Sequence, residues 1–197
     1  MVNIMLNVDE LKRGRRVCAF IRHGEKDLKN FGLTDNGKHD INNLSRLLKL
    51  LQRPIIIYSS PEARCIETAV IINSIVNNTE QNIQVSNILG KPGIQVKDEA
   101  EYTKLTDCMK CRDIFKEWKN GLHCAAMNNA KYIKSEMLNF FFNTSLKNGI
   151  TIYISQSGTV ACTAYSLGIA DYKANDEDWV NYLEGYVLRL CNGCYYF

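Results

Sequence analysis

Residues 17–24 read Val17-Cys18-Ala19-Phe20-Ile21-Arg22-His23-Gly24, a short apolar run that passes at once into a polar, glycine-containing turn. Five apolar residues in a row are too few for a helix and show no alternation, which is the pattern of a strand buried on both faces. The strand delivers Arg22 and His23 to the end of a sheet.

Working outward, two further strand-turn-helix units repeat this design. From Gly37 to Gln52 the apolar residues Ile41, Leu44, Leu47, Leu48 and Leu51 recur at the helical period, and Pro54 ends the helix. Ile55 to Tyr58 forms a second strand, followed by Ser59-Ser60-Pro61, where Ser60 is placed to cap a helix and Pro61 to occupy its first turn. That helix carries Arg64 and Glu67. Ile83 to Val85 reads as a third strand, and the polar stretch from Lys91 to Asp107, with its Pro-Gly pair, as a loop. Helices are expected over Met109 to Asn120 and Ala125 to Leu146. The alternating, β-branched run Ile150 to Ile154 is a strand that enters Ser155-Gln156-Ser157-Gly158 and a helix from Thr159. Tyr186 to Leu190 and Tyr195 to Phe197 flank Asn192-Gly193, a strong hairpin signal. Strands alternating with helices predict an α/β layered sheet.

Composition narrows the function. Apolar residues at 46% and charged residues at 23% fit a globular chain and exclude disorder. The near balance of 24 basic and 21 acidic residues, without a run of like charge, points away from nucleic acid and membrane and toward a small partner. Residues 1–16 lack the apolar core of a signal peptide, and no apolar stretch is long enough to span a bilayer, so a cytoplasmic protein is expected. The eight cysteines are read as reduced thiols, three of them (Cys18, Cys65, Cys162) in core-like segments. The pairs Cys108/Cys111 and Cys191/Cys194 lie too far apart in the chain for a zinc ribbon, whose pairs fall within about 15–20 residues. No metal or other cofactor is expected.

Ligands of open α/β sheets bind outside the carboxyl ends of the strands, and three such ends present Arg22-His23, Ser59 to Arg64, and Gln156-Ser157. Two arginines and a histidine suit phosphate. Guanidinium forks bind its oxygens bidentately, and a neutral imidazole nitrogen attacks phosphorus. Arg22-His23-Gly24 after a first strand, Leu33-Thr34-x-x-Gly37, and Ser59-Ser60-Pro61-x-x-Arg64-x-x-Glu67-Thr68-Ala69 after a second together resemble the histidine phosphatase (phosphoglycerate mutase-like) superfamily. The resemblance spans roughly residues 16–190. It implies a three-layer α/β/α sandwich with a mostly parallel central sheet, one domain over residues 1–197, and residues 91–146 as a helical insertion or cap over the site. It also implies His23 as the nucleophile, becoming a phosphohistidine, with Arg22 and Arg64 on the phosphoryl group.

The chain departs from the family where a strand should end in Ser-His: the segment reads Ile154-Ser155-Gln156-Ser157, with Gln156 at the histidine position. Trp179 to Gly185 resembles the acid-phosphatase-like branch, in which an aspartate follows that histidine to protonate the leaving group; here the position is Ser157. In the mutase-like branch the acid comes from mid-chain, where Glu99 and Glu101 are candidates, and Glu25 beside the nucleophile is a further one. A neutral glutamine brings no charge. Losing a preorganised donor costs about 10²–10³ in rate, and losing a general acid about 10²–10⁴. Arg22, Arg64, Gln156 and the helix after Pro61 still bind an anion. The expectation is a protein that binds a phosphate monoester or phosphate with weak or lost phosphatase activity. The alternative is a fully non-catalytic pseudophosphatase that binds a phosphoester or a partner. His39 and His123 read as solvated histidines, and Phe140-Phe141-Phe142 as core, although a long helix with aromatics also permits a homodimer.

Overall fold

The buried run at residues 17–21 sits centrally in a six-stranded sheet of order β3-β2-β4-β1-β5-β6. The computed structural model describes residues 6–27, 32–79, 83–173 and 179–197; the first five residues, part of the stretch read for a leader, lie outside these. The strands are β1 (Arg16–Arg22), β2 (Ile55–Ser59), β3 (Gln84–Val85), β4 (Gly149–Ser155), β5 (Gly185–Cys191) and β6 (Cys194–Tyr196). β1 runs parallel to β4, β4 to β2 and β2 to β3, while β5 and β6 close one edge as an antiparallel hairpin. The sheet is therefore mixed and mostly parallel, as expected.

Two apolar layers explain why β4 is buried throughout and β1 over residues 17–21. Val17, Ala19 and Ile21 of β1 and Ile150, Ile152 and Ile154 of β4 pack with Ile41, Leu44 and Leu48 of α1 (Asp35–Leu50) and Cys65, Ala69 and Ile72 of α2 (Ala63–Val76). Cys18, Phe20 and Tyr153 face the other way. They meet α4 (Cys111–Lys119), α5 (Ala130–Thr144) and α6 (Ser157–Leu167) through Phe115, Met137, Phe141 and Val160. Helices on both faces of one sheet make the three-layer α/β/α arrangement. Phe141 is fully buried and Phe140 and Phe142 pack against the same core, so the aromatic run is interior packing.

Several local expectations are corrected. Helix α1 begins at Asp35 because Thr34 caps it, its hydroxyl accepting from the Gly37 amide at 2.9 Å. Helix α2 begins at Ala63, two residues beyond Pro61; Ser60 instead accepts from the Glu62 amide within the turn, and Glu62 stands at the cap. The stretch read as a loop contains α3 (Glu99–Cys108), whose start is fixed by Asp98 accepting from the Glu101 amide at 3.0 Å. Helices α4 and α5 are shorter than expected. Met127 forms a bridge with Val96, and Asn129 caps α5, which keeps residues 125–129 out of the helix. His123 is paired with Glu117 at 2.7 Å rather than solvated, whereas His39 is exposed. Among the described residues no helix is long and apolar enough to cross a membrane.

Candidate functional site

Because β1, β4 and β2 are neighbours, their carboxyl ends bring Arg22-His23, Ser155-Gln156 and Ser59-Ser60 side by side. Backbone bonds past the strand ends fix the arrangement: the His23 amide donates to the Ser155 carbonyl at 3.0 Å, and that of Ser60 to Ile154 at 2.9 Å.

His23 is 2% exposed. Its Nδ1 lies 2.6 Å from the Gly24 carbonyl, and a carbonyl only accepts, so Nδ1 carries the proton. Nε2 is therefore the unprotonated nitrogen, and it accepts from Arg64 Nε at 3.0 Å. Burial, with Arg22, Arg64 and Lys26 adding like charge, brings the imidazole down to about 3, although the Gly24 bond pulls the other way. At neutral pH the ring has the protonation state a nucleophile needs.

Three cations surround this ring. Arg22 packs 3.9 Å above the centre of the Tyr182 ring and donates to the Val180 carbonyl at 2.6 Å. Among the described residues its Nε is buried without a partner. Arg64 is paired with Glu62 at 3.1 Å. Lys26 is held below its ordinary value by burial and by the charges of Arg64 and Arg22, and among the described residues it has no ion-pair partner. Among the described residues, then, a buried guanidinium nitrogen without an acceptor and an ammonium without an ion-pair partner share this end of the sheet, an arrangement whose charge an anion would balance.

Half of the sequence motifs hold this arrangement up rather than take part in it. The Thr68 hydroxyl accepts from the Gly24 amide at 3.1 Å and donates to the Arg64 carbonyl at 2.7 Å, tying the nucleophile's turn to α2. Glu67 accepts from the Leu33 amide and pairs with Lys38. Gly37 lets the Glu25 backbone come close, since a Cβ there would lie 2.5 Å from the Glu25 carbonyl oxygen. The Glu25 carboxylate itself accepts from the Thr34 hydroxyl at 2.7 Å.

Gln156 stands at the cap of α6 with no capping bond from its side chain. It lies over Gly90 and close to Ser60: a Cβ on Gly90 would fall 2.7 Å from Ser60 Oγ and 3.0 Å from Gln156 Nε2. The Cys111 thiol, which burial pushes up to about 11, lies against Gly158 beside Ser157.

Residues 18–88 match the model of the histidine phosphatase superfamily (branch 1). The fold is phosphoglycerate mutase-like. A phosphoglycerate mutase from Bacillus anthracis is similar at a TM-score of 0.59 and 14% identity, over 95% of this chain and 93% of that one. A mycobacterial glucosyl-3-phosphoglycerate phosphatase is similar at 0.51 and 15% identity, over 78% and 79%. No curated protein matches the chain. The acid-phosphatase-like placement of residues 179–185 rests on the sequence resemblance alone.

Within that fold the structure brings His23, Arg22, Arg64, Gln156 and Ser157 to one end of the sheet. It does not bring the mid-chain carboxylates to them: Glu99 is exposed in the first turn of α3, and Glu101 is paired with Lys104 at the surface. Glu25, read from sequence as a candidate acid, accepts from the Thr34 hydroxyl. Sequence reasoning missed Lys26, Glu62, Cys111 and Tyr182. Of these only Tyr182 had a signal, since it lies inside the late segment already singled out. The others reach the site through loop geometry that no periodicity encodes.

Proposed function

We propose that the protein binds a phosphate monoester at Arg22, His23, Arg64 and Gln156, and turns it over slowly or not at all through a phosphohistidine at His23. The carrying observation is the neutral Nε2 of His23 held against the Arg64 guanidinium, inside a cluster of cations that, among the described residues, has no second imidazole and no free acid. An arriving phosphoryl group takes His23's place as acceptor for Arg64 Nε, which frees the Nε2 lone pair for in-line attack. The Arg22 Nε then gains an acceptor, and the first backbone amides of α2 add dipolar stabilisation. Gln156 is free of capping duty and offers one neutral donor.

Among the described residues, protonation of the leaving group is the step without a provider. Ser157 offers only a neutral hydroxyl, and Glu25 serves Thr34. Substrates with acidic leaving groups, such as aryl phosphates, lose least from this, so they give the most sensitive probe. A small phosphorylated ligand is supported by the two named neighbours, both called after phosphoglycerate compounds. Residues 91–146 bound the site through Cys111 in α4, which supports their role as its cap. Eight unpaired cysteines fit a cytoplasmic setting. The fully non-catalytic reading shares the same binding site and differs only in turnover.

The test is restoration. With p-nitrophenyl phosphate, Gln156→His, alone or with Ser157→Asp, is expected to raise turnover by about 10²-fold, the worth of one electrostatic donor or acid. No gain from either variant, with wild-type activity already that of an efficient phosphatase, contradicts the attenuated reading.

A further inference from the structure

Cys191 and Cys194 sit outside the phosphate site at the opposite edge of the sheet. They are direct register partners across the β5–β6 hairpin, and both are exposed. The intervening Asn192 and Gly193 have φ of 46° and 78°, the left-handed pair that a tight two-residue hairpin turn requires. Residues directly opposite in an antiparallel pair have Cα atoms about 4.5–5.5 Å apart and project to the same face. A disulfide needs Cα atoms about 4.4–6.8 Å apart. The Cα spacing of such a pair therefore falls within the range that a disulfide spans.

A second, independent feature adjoins them. Cys191, Asn192 and Gly193 line a cavity of about 400 Å³ together with Arg15, Arg16 and Lys147. Arg16 is occupied by Ser145 and the Phe142 carbonyl. Arg15 and Lys147 are exposed, and among the described residues neither has an ion-pair partner. Two free cations beside an exposed thiol favour an anionic reagent. The remaining CxxC pair is not equivalent, because Cys111 is turned inward against Gly158 and Ser157.

We infer that Cys191 and Cys194 form a reversible thiol–disulfide exchange site that accepts an acidic low-molecular-weight disulfide, such as glutathione disulfide, in the cavity bordered by Arg15 and Lys147. The Cys191 thiolate attacks one sulfur of the reagent, a mixed disulfide forms, and the first reagent thiolate leaves and takes up a proton. The Cys194 thiolate then attacks Cys191 Sγ and expels the second. Two protein thiols are oxidised as one reagent disulfide is reduced to two thiols. The ring so closed is small, so it constrains the unfolded chain little and is readily reduced again.

The experiment incubates the reduced full-length protein with glutathione disulfide, alkylates it and maps the cysteines by mass spectrometry, with neutral hydroxyethyl disulfide in parallel. The expected product is one Cys191–Cys194 bridge, formed several-fold faster with glutathione disulfide. Cys194→Ser traps glutathione on Cys191, and the double variant Arg15→Ser/Lys147→Ser brings the two reagents to equal rates. Absence of that bridge under excess reagent overturns the proposal, as does bridging that never distinguishes the charged reagent from the neutral one.

Discussion

At the scale of the residue, His23 decides what the site can do, and its electrostatics carry a pH signature. The buried imidazole is held at about 3, below the ordinary 6.5, so between those values the unfolded chain takes up a proton that the native state refuses. Stability present above pH 6.5 is therefore lost as pH falls toward 3, with a slope approaching about 1.4 kcal/mol per pH unit from this group. His23→Gln removes that contribution. Urea midpoints of wild type and variant measured from pH 7 to pH 4 should converge as the pH drops; parallel curves would mean that His23 is not held neutral. The residue types Arg22, His23 and Arg64 were legible in the sequence because phosphate recognition needs guanidinium forks and an imidazole. The two further charges, Lys26 and Glu62, were not. A lysine and a glutamate near a turn look the same in sequence whether they face solvent or a ligand.

At the scale of the element, the motifs are joints. Thr68 on α2 satisfies the Gly24 amide at the end of β1, so Thr68→Val leaves a buried N–H unpaired and is expected to cost about 1–3 kcal/mol, read from the shift in urea midpoint. A shift below a few tenths would show that the joint is not used. Gly185 at the start of β5 is a tighter one. A Cβ there would lie 1.9 Å from the Phe20 carbonyl oxygen, so Gly185→Ala pries β5 from β1 and is expected to cost at least as much. Retained stability would show that the β1–β5 contact yields easily. The strands, α1, α2 and the terminal hairpin could be read from sequence, since each carries its period or turn on its own residues. Helix α3 could not. Its run Glu99 to Cys108 buries no residue fully, leaves no apolar stripe to detect, and is set by its Asp98 cap. The early start expected for α5 failed for the opposite reason: Ala126 and Met127 are apolar enough for a helix but are buried against the Val96 segment instead.

At the scale of the whole molecule, the sheet order places three strand ends next to one another and so makes one pocket of groups scattered from residue 22 to residue 182. The fold class followed from strands alternating with helices, and the same rule located the site, because ligands collect at the carboxyl ends of such strands. What the order of elements could not convey is how residues 179–185 return to the site. There the Arg22 amide donates to the Glu184 carbonyl, and Tyr182 comes to lie under the Arg22 guanidinium. On the proposed reading the phosphate-binding groups are in place and none of the described residues is set to donate the proton. The measurement that tests it most directly is p-nitrophenyl phosphate turnover by wild type and His23→Ala, alongside calorimetric titration of both with orthovanadate. The account predicts vanadate binding by wild type, weakened in His23→Ala, with turnover that is slow and dependent on His23 or absent altogether. Rapid wild-type turnover that survives His23→Ala, or no vanadate binding at all, would contradict it.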